Sequence, residues 1–230
     1  MCYIAGRRMS DALVWIRIQD LVVPNIGFHG YLFEDGSERR LFHRVNMARW
    51  YVPVDDTHSI IYGWRMFGRT ADPRQQGDEG RVGWDSMDFL DGQVGDRPYE
   101  VGQRGPGDWE VITSQRAIAV HALENPMESD IGVYLFRKLL REAIRGKSPD
   151  AQPASMHERA RRGLPTYCYT QNDVLAVPKR PTEEEDRAML KRLGRQIIAI
   201  AQEADTYALQ ERKAFVSARL EQLEKKAWDL

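Results

Sequence analysis

The residues of this chain that could bind a metal ion or transfer protons are few and widely spaced. No two of its histidines are close enough in sequence to hold a metal from neighbouring turns of one helix. The five histidines are His29, His43, His58, His121 and His157. The two cysteines, Cys2 and Cys168, have no second Cys or His at ligand spacing. Zinc–thiolate and iron–sulfur sites are therefore excluded within this sequence, because each needs about four ligands.

Two acidic positions have neighbours that suggest a metal site. Asp55 and His58 are three residues apart, but the Asp-Asp-Thr sequence that begins at Asp55 is typical of a turn between strands. Asp108 follows a Gly-Pro-Gly sequence and precedes a tryptophan, so its local sequence predicts a helix N-cap. On spacing alone, metal binding is the weaker interpretation at both positions.

Composition and charge exclude several classes of function. The 230 residues include 33 basic and 34 acidic ones, which leaves a formal net charge of −1 and no basic excess for binding nucleic acid or an anionic membrane. No apolar run approaches the length of a membrane span, and no signal sequence is recognisable, so a cytoplasmic location is expected. The chain also has no glycine-rich phosphate-binding loop and no Gly-x-Ser-x-Gly nucleophile motif.

The order of the elements predicts an α+β fold. Glycines are concentrated before residue 108, and no proline follows Pro181, so strands and turns are expected first and helices last. Alternating apolar residues predict strands, and the turn at residues 55–57 should join the second and third of them as an antiparallel hairpin. These strands are predicted at residues 12–19, 41–54 and 59–67.

Helical periodicity predicts two further segments. One helix is expected over residues 131–145, stopped by Gly146. A longer helical segment is expected to begin after a Thr182–Glu185 capping box. One straight helix from there to the end would span roughly 70 Å, so the segment is expected to bend near residues 205–206 or to pack against a partner. Residues 68–107 and 147–181 contain Gly and Pro throughout and are interpreted as loops.

Two stretches resemble Rieske-type aromatic ring-hydroxylating oxygenases, most closely the phthalate dioxygenase-like branch. Residues 49–58 (RWYVPVDDTH) are similar to the "VPxDDT" strand and turn of that family. A later signature begins with residues 107–110 (GDWE) and ends in a basic helix at residues 136–140 (FRKLL). Between them lie, in the family's order, Ser114–Gln115, His121, Glu124 and Ser129–Asp130. The resemblance covers about residues 10–146.

The resemblance implies a fold and a chemistry. The fold is a START-like helix-grip, in which a curved antiparallel sheet packs on helices over an apolar pocket. The chemistry is oxidation by O₂ at a mononuclear Fe(II) held by two histidines and one carboxylate, a ligand set that leaves open positions. By its place in the motif, Asp108 would be the carboxylate ligand. Some tryptophans could line the pocket, although core packing is the expected role of most. The candidates are Trp50, Trp64, Trp84 and Trp109.

The chain departs from the family in ways that limit what it can do alone. The family's two histidine ligands would precede the stretch that begins here at Met1, and no His-x₄-His occurs in the chain. Two isolated cysteines cannot hold a [2Fe–2S] cluster. The resemblance therefore implies residues 1–180 as the C-terminal part of an iron oxygenase catalytic domain, followed by a helical tail at residues 181–230. Arg116 stands where the family has the glycine of Ser-Gln-Gly. Val120–His121 stands where Asp-Arg is common in the family, and His121 is a further candidate as a substitute metal ligand.

Two functions follow as hypotheses. The first is a part of an oxygenase that oxidises an aromatic or related apolar acid, as in aromatic hydrocarbon catabolism, and is inactive without its redox module and histidine ligands. Its partners would be O₂, a reductase or ferredoxin and further copies of itself, with a trimer implied only by the family. The alternative is a metal-free helix-grip module that binds a hydrophobic ligand or serves as an assembly subunit.

Overall fold

A computed structural model describes residues 1–83, 92, 95, 97–147, 161 and 168–227 of the chain. Within these residues seven strands form one antiparallel sheet, in the order β4-β7-β2-β3-β5-β6, with β1 also paired to β2. The strands are β1 (Cys2–Arg8), β2 (Leu13–Val22), β3 (Ile26–His29), β4 (Arg40–Arg44), β5 (Met47–Pro53), β6 (Ser59–Arg65) and β7 (Gln171–Ala176). The sheet and the helices described below confirm the α+β prediction, whereas the more specific START-like assignment stays a prediction.

Strand β2 is the centre of the sheet because it pairs with three others. Along one edge it pairs with β1, and along the other it pairs first with β7 and then with β3. Val14, Ile16 and Ile18 alternate with less buried residues and are themselves fully buried. The predicted strand at residues 12–19 is thus confirmed, and it continues to Val22.

The single strand predicted at residues 41–54 is wrong, because this stretch forms two strands with different partners. Strand β4 pairs with β7, and β5 pairs with β3 and β6. The chain changes partner at buried Asn46, whose backbone N–H donates to the carbonyl of His29 and whose carbonyl accepts from Met66. The hairpin between β5 and β6 is confirmed, with its turn at residues 55–57.

Strand β7 lies in a stretch that the sequence predicted to be loop. Its first residues are Gln171, Asn172 and Asp173, which are depleted in strands in general but are all buried here. Each has a hydrogen-bond partner that offsets its burial. Asn172 Oδ1 accepts from the Nε of Arg17 at 3.0 Å, and Asp173 accepts from the backbone N–H of Phe42 at 2.7 Å.

The two C-terminal helices cover one face of the sheet. Helix α4 (Glu183–Glu203) begins at the predicted capping box, in which Thr182 Oγ1 accepts from the N–H of Glu185. A 3₁₀ turn, Ala204–Thr206, separates it from α5 (Leu209–Lys226), so the predicted bend is confirmed. The buried cluster joins strand residues such as Ile16 to residues of both helices, so sheet and helices share one core. The division of the chain at residue 180 remains a prediction.

Three shorter α-helices have bounds within the described residues between β6 and β7. They are α1 (Tyr99–Arg104), α2 (Asp108–Thr113) and α3 (Ile131–Ile144). Helix α3 ends where it was predicted to end, before Gly146, which has a φ of 64°. The apolar residues that repeat along α3 with helical periodicity are not buried, since no residue of this helix is buried and Ile131 is 75% exposed. No helix in the described ranges is long and apolar enough to cross a membrane.

A buried carboxylate in β7 makes the stability of the fold depend on pH. Asp173 is fully buried, and burial raises its pKa to about 7, although hydrogen bonds from Gln171 and Phe42 act in the opposite direction. A carboxyl group with a raised pKa in the folded state stabilises the fold fully below about pH 4, and this contribution is lost as pH rises through about 7.

We therefore predict that Asp173→Asn removes the loss of stability between pH 5 and pH 8. Relative to the variant, the wild-type chain should lose about 3 kcal/mol in its free energy of unfolding between pH 5 and pH 8, because a pKa of about 7 leaves two pH units of titration above pH 5. The asparagine variant should lack this loss, because an amide does not titrate and its Oδ1 can still accept from the N–H of Phe42. His29, whose lowered pKa adds stability as pH rises towards about 6.5, contributes equally to both chains, so the two pH profiles are compared with each other. Urea denaturation at the two pH values measures this, with Asp55→Asn in the exposed turn as control. Parallel pH profiles of wild type and Asp173→Asn would contradict the prediction.

Candidate functional site

Asp108, the carboxylate singled out by the sequence, begins helix α2 and is exposed. The N-cap is its neighbour Gly107, so the predicted cap lies one residue earlier in the chain. Carboxylates are favourable in the first turn of a helix because they interact with its partial positive charge. The position thus has a structural explanation, and it also leaves the Asp108 side chain on the surface, where a group from another segment can approach it.

Tight contacts around Gly107 fix the start of α2. The backbone passes so close to Gly92 that a Cβ on Gly107 would lie 2.4 Å from the Gly92 carbonyl oxygen. The Gly107 N–H donates to Glu110 at 2.8 Å, and Arg97 holds the same carboxylate at 2.7 Å. These two contacts lower the pKa of Glu110, with the Gly107 N–H as the larger cause. Close packing therefore requires glycine at position 107, immediately before Asp108, whereas a Cβ on Gly105 would meet no other atom.

A polar cleft of about 360 Å³ lies between α1 and α2. Its wall includes Arg97, Tyr99 and Trp109. Asp108 is not one of the described residues that line it. This cleft therefore lies beside the candidate ligand and does not contain it.

An apolar cleft of about 660 Å³ lies between the sheet and helix α3. Leu21, Ile26 and Tyr51 line it on the sheet side. Phe136 and Leu140, from the basic helix of the family-like signature, line it on the other side. Its volume is in the range of small-molecule sites, and its wall is almost entirely apolar. Among the described residues this cleft is the best candidate for holding an apolar ligand.

A polar pair that the sequence did not suggest lies at the edge of the apolar cleft. His29 Nε2 is 3.1 Å from the hydroxyl of Tyr51, and Gln19 Nε2 is 3.3 Å from His29 Nδ1. The two rings meet over Gly27, where a Cβ would lie 3.0 Å from His29 Nε2. Burial, together with the positive charges of Arg49 and Arg17, lowers the pKa of His29 to about 4. His29 is therefore a neutral hydrogen-bonding residue at ordinary pH.

This pair was missed because strand β3 was not predicted. Once β3 is paired with β5, Gly27 lies opposite Arg49, and the neighbouring odd-numbered positions share a face of the sheet. A four-residue strand that contains glycine gives little signal from periodicity. The close approach of His29 and Tyr51 over Gly27 explains why glycine stands there, and this glycine was the available sequence signal for the pair.

The four histidines that the structure describes do not form a metal site with Asp108. Within the described parts of the chain, no three His, Cys, Asp or Glu side chains are grouped so that they could hold a metal ion. His121 is exposed in a short 3₁₀ helix, and His157 lies outside the described residues. The turn interpretation of Asp55 is supported, because its Oδ1 accepts from the backbone N–H groups of Thr57 and His58.

The other residues of the family-like signature occupy different places. Glu124 accepts two hydrogen bonds from Arg137 of α3, at 2.7 and 2.8 Å, and so ties the segment before α3 to that helix. Trp109 lines the polar cleft, and Trp64 is 70% exposed on β6. Trp50 is half-buried beside Tyr51, and Trp84 lies outside the described residues. No tryptophan in the described ranges lines the apolar cleft.

Comparisons with known proteins give one strong similarity. No protein-family profile matches the chain, and no solved structure does. The chain is 41% identical over 224 residues to the "Tert-butanol monooxygenase / tert-amyl alcohol desaturase oxygenase subunit" of Aquincola tertiaricarbonis. The match includes 97% of this chain and 47% of that subunit, so the chain spans about half the length of this curated relative. Over nearly all of its length, the chain is thus similar to about half of the oxygenase subunit of a monooxygenase.

Proposed function

We propose that the chain is part of the oxygenase component of a multicomponent, Rieske-type monooxygenase or dioxygenase. The observation that carries this proposal is the 41% identity over 97% of the chain to an oxygenase subunit. The family-like motifs around residues 49–58 and 107–140 support the same assignment. The redox partner would be a reductase or ferredoxin, and the component would be a homo-oligomer.

In this proposal Asp108 is the carboxylate ligand of a mononuclear Fe(II). Its exposed position at the start of α2 suits a ligand that meets other ligands from another segment. The described residues do not fit a complete iron site, because no three possible ligand side chains are grouped. The two histidines would therefore come from polypeptide outside this sequence. When bound there, such an iron would supply the activation of O₂.

The apolar cleft between the sheet and α3 would receive the substrate. Its almost wholly apolar wall would exclude water around a small hydrocarbon group. Tyr51 is one of the lining residues, and its hydroxyl would be the hydrogen-bonding group for a polar end of the substrate. His29 would orient that hydroxyl, since its ring stays neutral. The relative is named for tert-butanol and tert-amyl alcohol, which favours a small branched alcohol over the aromatic or apolar acid expected from the phthalate-like motifs.

A metal-free module that binds a hydrophobic ligand is the second candidate. The apolar cleft favours it independently of any iron, because a cleft of this size and lining can hold a small ligand by itself. Iron content separates the two candidates.

We predict that iron binds to the chain only in the presence of the missing ligands and depends on Asp108. The chain should be co-expressed with the part of the A. tertiaricarbonis subunit that it does not match, and iron should be counted after anaerobic gel filtration. About one iron per pair of polypeptides is expected, with at least a tenfold loss in Asp108→Ala. Asp56→Ala, an exposed carboxylate in the β5–β6 turn, is the control and should keep its iron. Equal iron in Asp108→Ala and wild type would refute the ligand role.

We also predict that Leu140→Trp weakens the binding of small apolar ligands at least tenfold, because the larger ring fills the cleft. Saturation-transfer NMR with tert-amyl alcohol and with benzoate measures this and ranks the two substrate classes. Leu135→Trp changes a half-exposed residue of the same helix that does not line the cleft, and it should bind like wild type. Unchanged binding in Leu140→Trp would show that the ligand lies elsewhere.

A further inference from the structure

The C-terminal helices cover only one half of the face on which they pack. Helix α4 contacts β1, and α5 contacts β4 and β7. The strand residues of the buried cluster accordingly come from β2, β4 and β7, with Ile4 of β1 packed against them. Val14, Ile16 and Ile18 show that the even-numbered residues of β2 point towards these helices.

The other half of that face carries an apolar stripe formed by β5 and β6. Phe28 pairs with Asp20 and with Ala48, which places the even-numbered residues of β5 on the helix-covered face. Trp50 then pairs with Tyr62, and Val52 with Ile60. We call these residues, with Trp64, the β5–β6 stripe. Its β6 members are 46% (Ile60), 46% (Tyr62) and 70% (Trp64) exposed.

Strand β6 exposes its backbone edge as well as its side chains. It is the last strand of the sheet, so the backbone groups on its outer edge have no partner strand within the described residues. Six of its seven residues are exposed, and Arg65 is half-buried. An edge strand that is rich in β-branched and aromatic residues pairs readily with another chain unless something covers it. Aromatic side chains in such a patch are also the residues that contribute most to protein–protein contacts.

The extent of the similarity indicates what covers the stripe. The A. tertiaricarbonis subunit shares 41% identity with nearly the whole chain, and yet more than half of that subunit lies outside the match. At this identity the matched part of that subunit is expected to form the same sheet, and an equivalent exposed face there would also need cover. The rest of the same polypeptide is present at one copy per sheet and is covalently attached, which makes it the nearest available cover.

We propose that the β5–β6 stripe is the docking surface for a polypeptide equivalent to the unmatched part of that oxygenase subunit. The proposal rests on the proposed function for the identity of the partner, but it does not depend on iron or on Asp108. The partner would cover Tyr62 and Trp64 and add backbone hydrogen bonds along the edge of β6. It would also cover the half of the sheet face that α4 and α5 leave exposed.

The test is binding between the purified chain and the unmatched part of the A. tertiaricarbonis subunit, produced as a separate polypeptide. Binding is measured by analytical ultracentrifugation and titration calorimetry with EDTA present, so that iron plays no role. The variant is Tyr62→Glu/Trp64→Glu, which changes exposed residues and should leave the melting temperature of the isolated chain within a few degrees of wild type. The matched control is Tyr3→Glu, a tyrosine of similar exposure (41%) on β1.

We expect wild type and Tyr3→Glu to form a one-to-one complex with this polypeptide. The double variant should bind it at least a hundredfold more weakly. No complex, or a complex equally strong with the double variant, would overturn the proposal. Self-association of the chain through Tyr62 and Trp64 that excludes the partner would also overturn it, since a second copy would then be the occupant. Docking in EDTA, together with no bound iron in the co-expression experiment described above, would support the docking surface and count against the Asp108 ligand role alone.

Discussion

The pairing of β7 with β2 is the constraint on which the rest of the structure depends. It joins residues that are far apart in sequence: Arg17 and its hydrogen-bond partner Asn172 are 155 positions apart. The same strand holds β4 through the Asp173–Phe42 contact, and the α4–α5 pair packs over the resulting surface. The buried residues Gln171, Asn172 and Asp173 lie in this pairing. Its contribution to stability therefore depends on their hydrogen bonds and on the protonation of the Asp173 carboxyl group.

The helices of the candidate site lie outside this well-packed core. Helices α2 and α3 supply Asp108 and one wall of the apolar cleft, and neither helix has a buried residue. A metal ligand must be held within a fraction of an ångström to function, which needs packing around its supporting element. The chain thus has a well-packed part, the sheet with α4 and α5, and a part with little packing of its own. In the proposed function this second part would gain its packing, and its histidine ligands, from a partner that covers the β5–β6 stripe.

Sequence reasoning was most successful where local signals act alone. The capping box at Thr182, the bend near Asp205 and the turn at Asp55 were predicted because each depends on a few adjacent residues. Strand β7 could not be predicted, since Gln171, Asn172 and Asp173 are stable in a strand only with partners more than a hundred residues away. The motif around Asp108 indicated a ligand, but neither the exposure of α2 nor the His29–Tyr51 contact can be read from spacing.

Hydrogen–deuterium exchange of the isolated chain, followed by mass spectrometry of its peptides, tests the central claim most directly. The claim is that one half of the sheet is a complete core and the other half awaits a partner. The account predicts the slowest exchange in the middle of β2 and in β7, where both strand edges are paired and the side chains are buried. It predicts exchange at least a hundredfold faster in β6. Protection of β6 equal to that of β7 in the isolated chain would contradict the account.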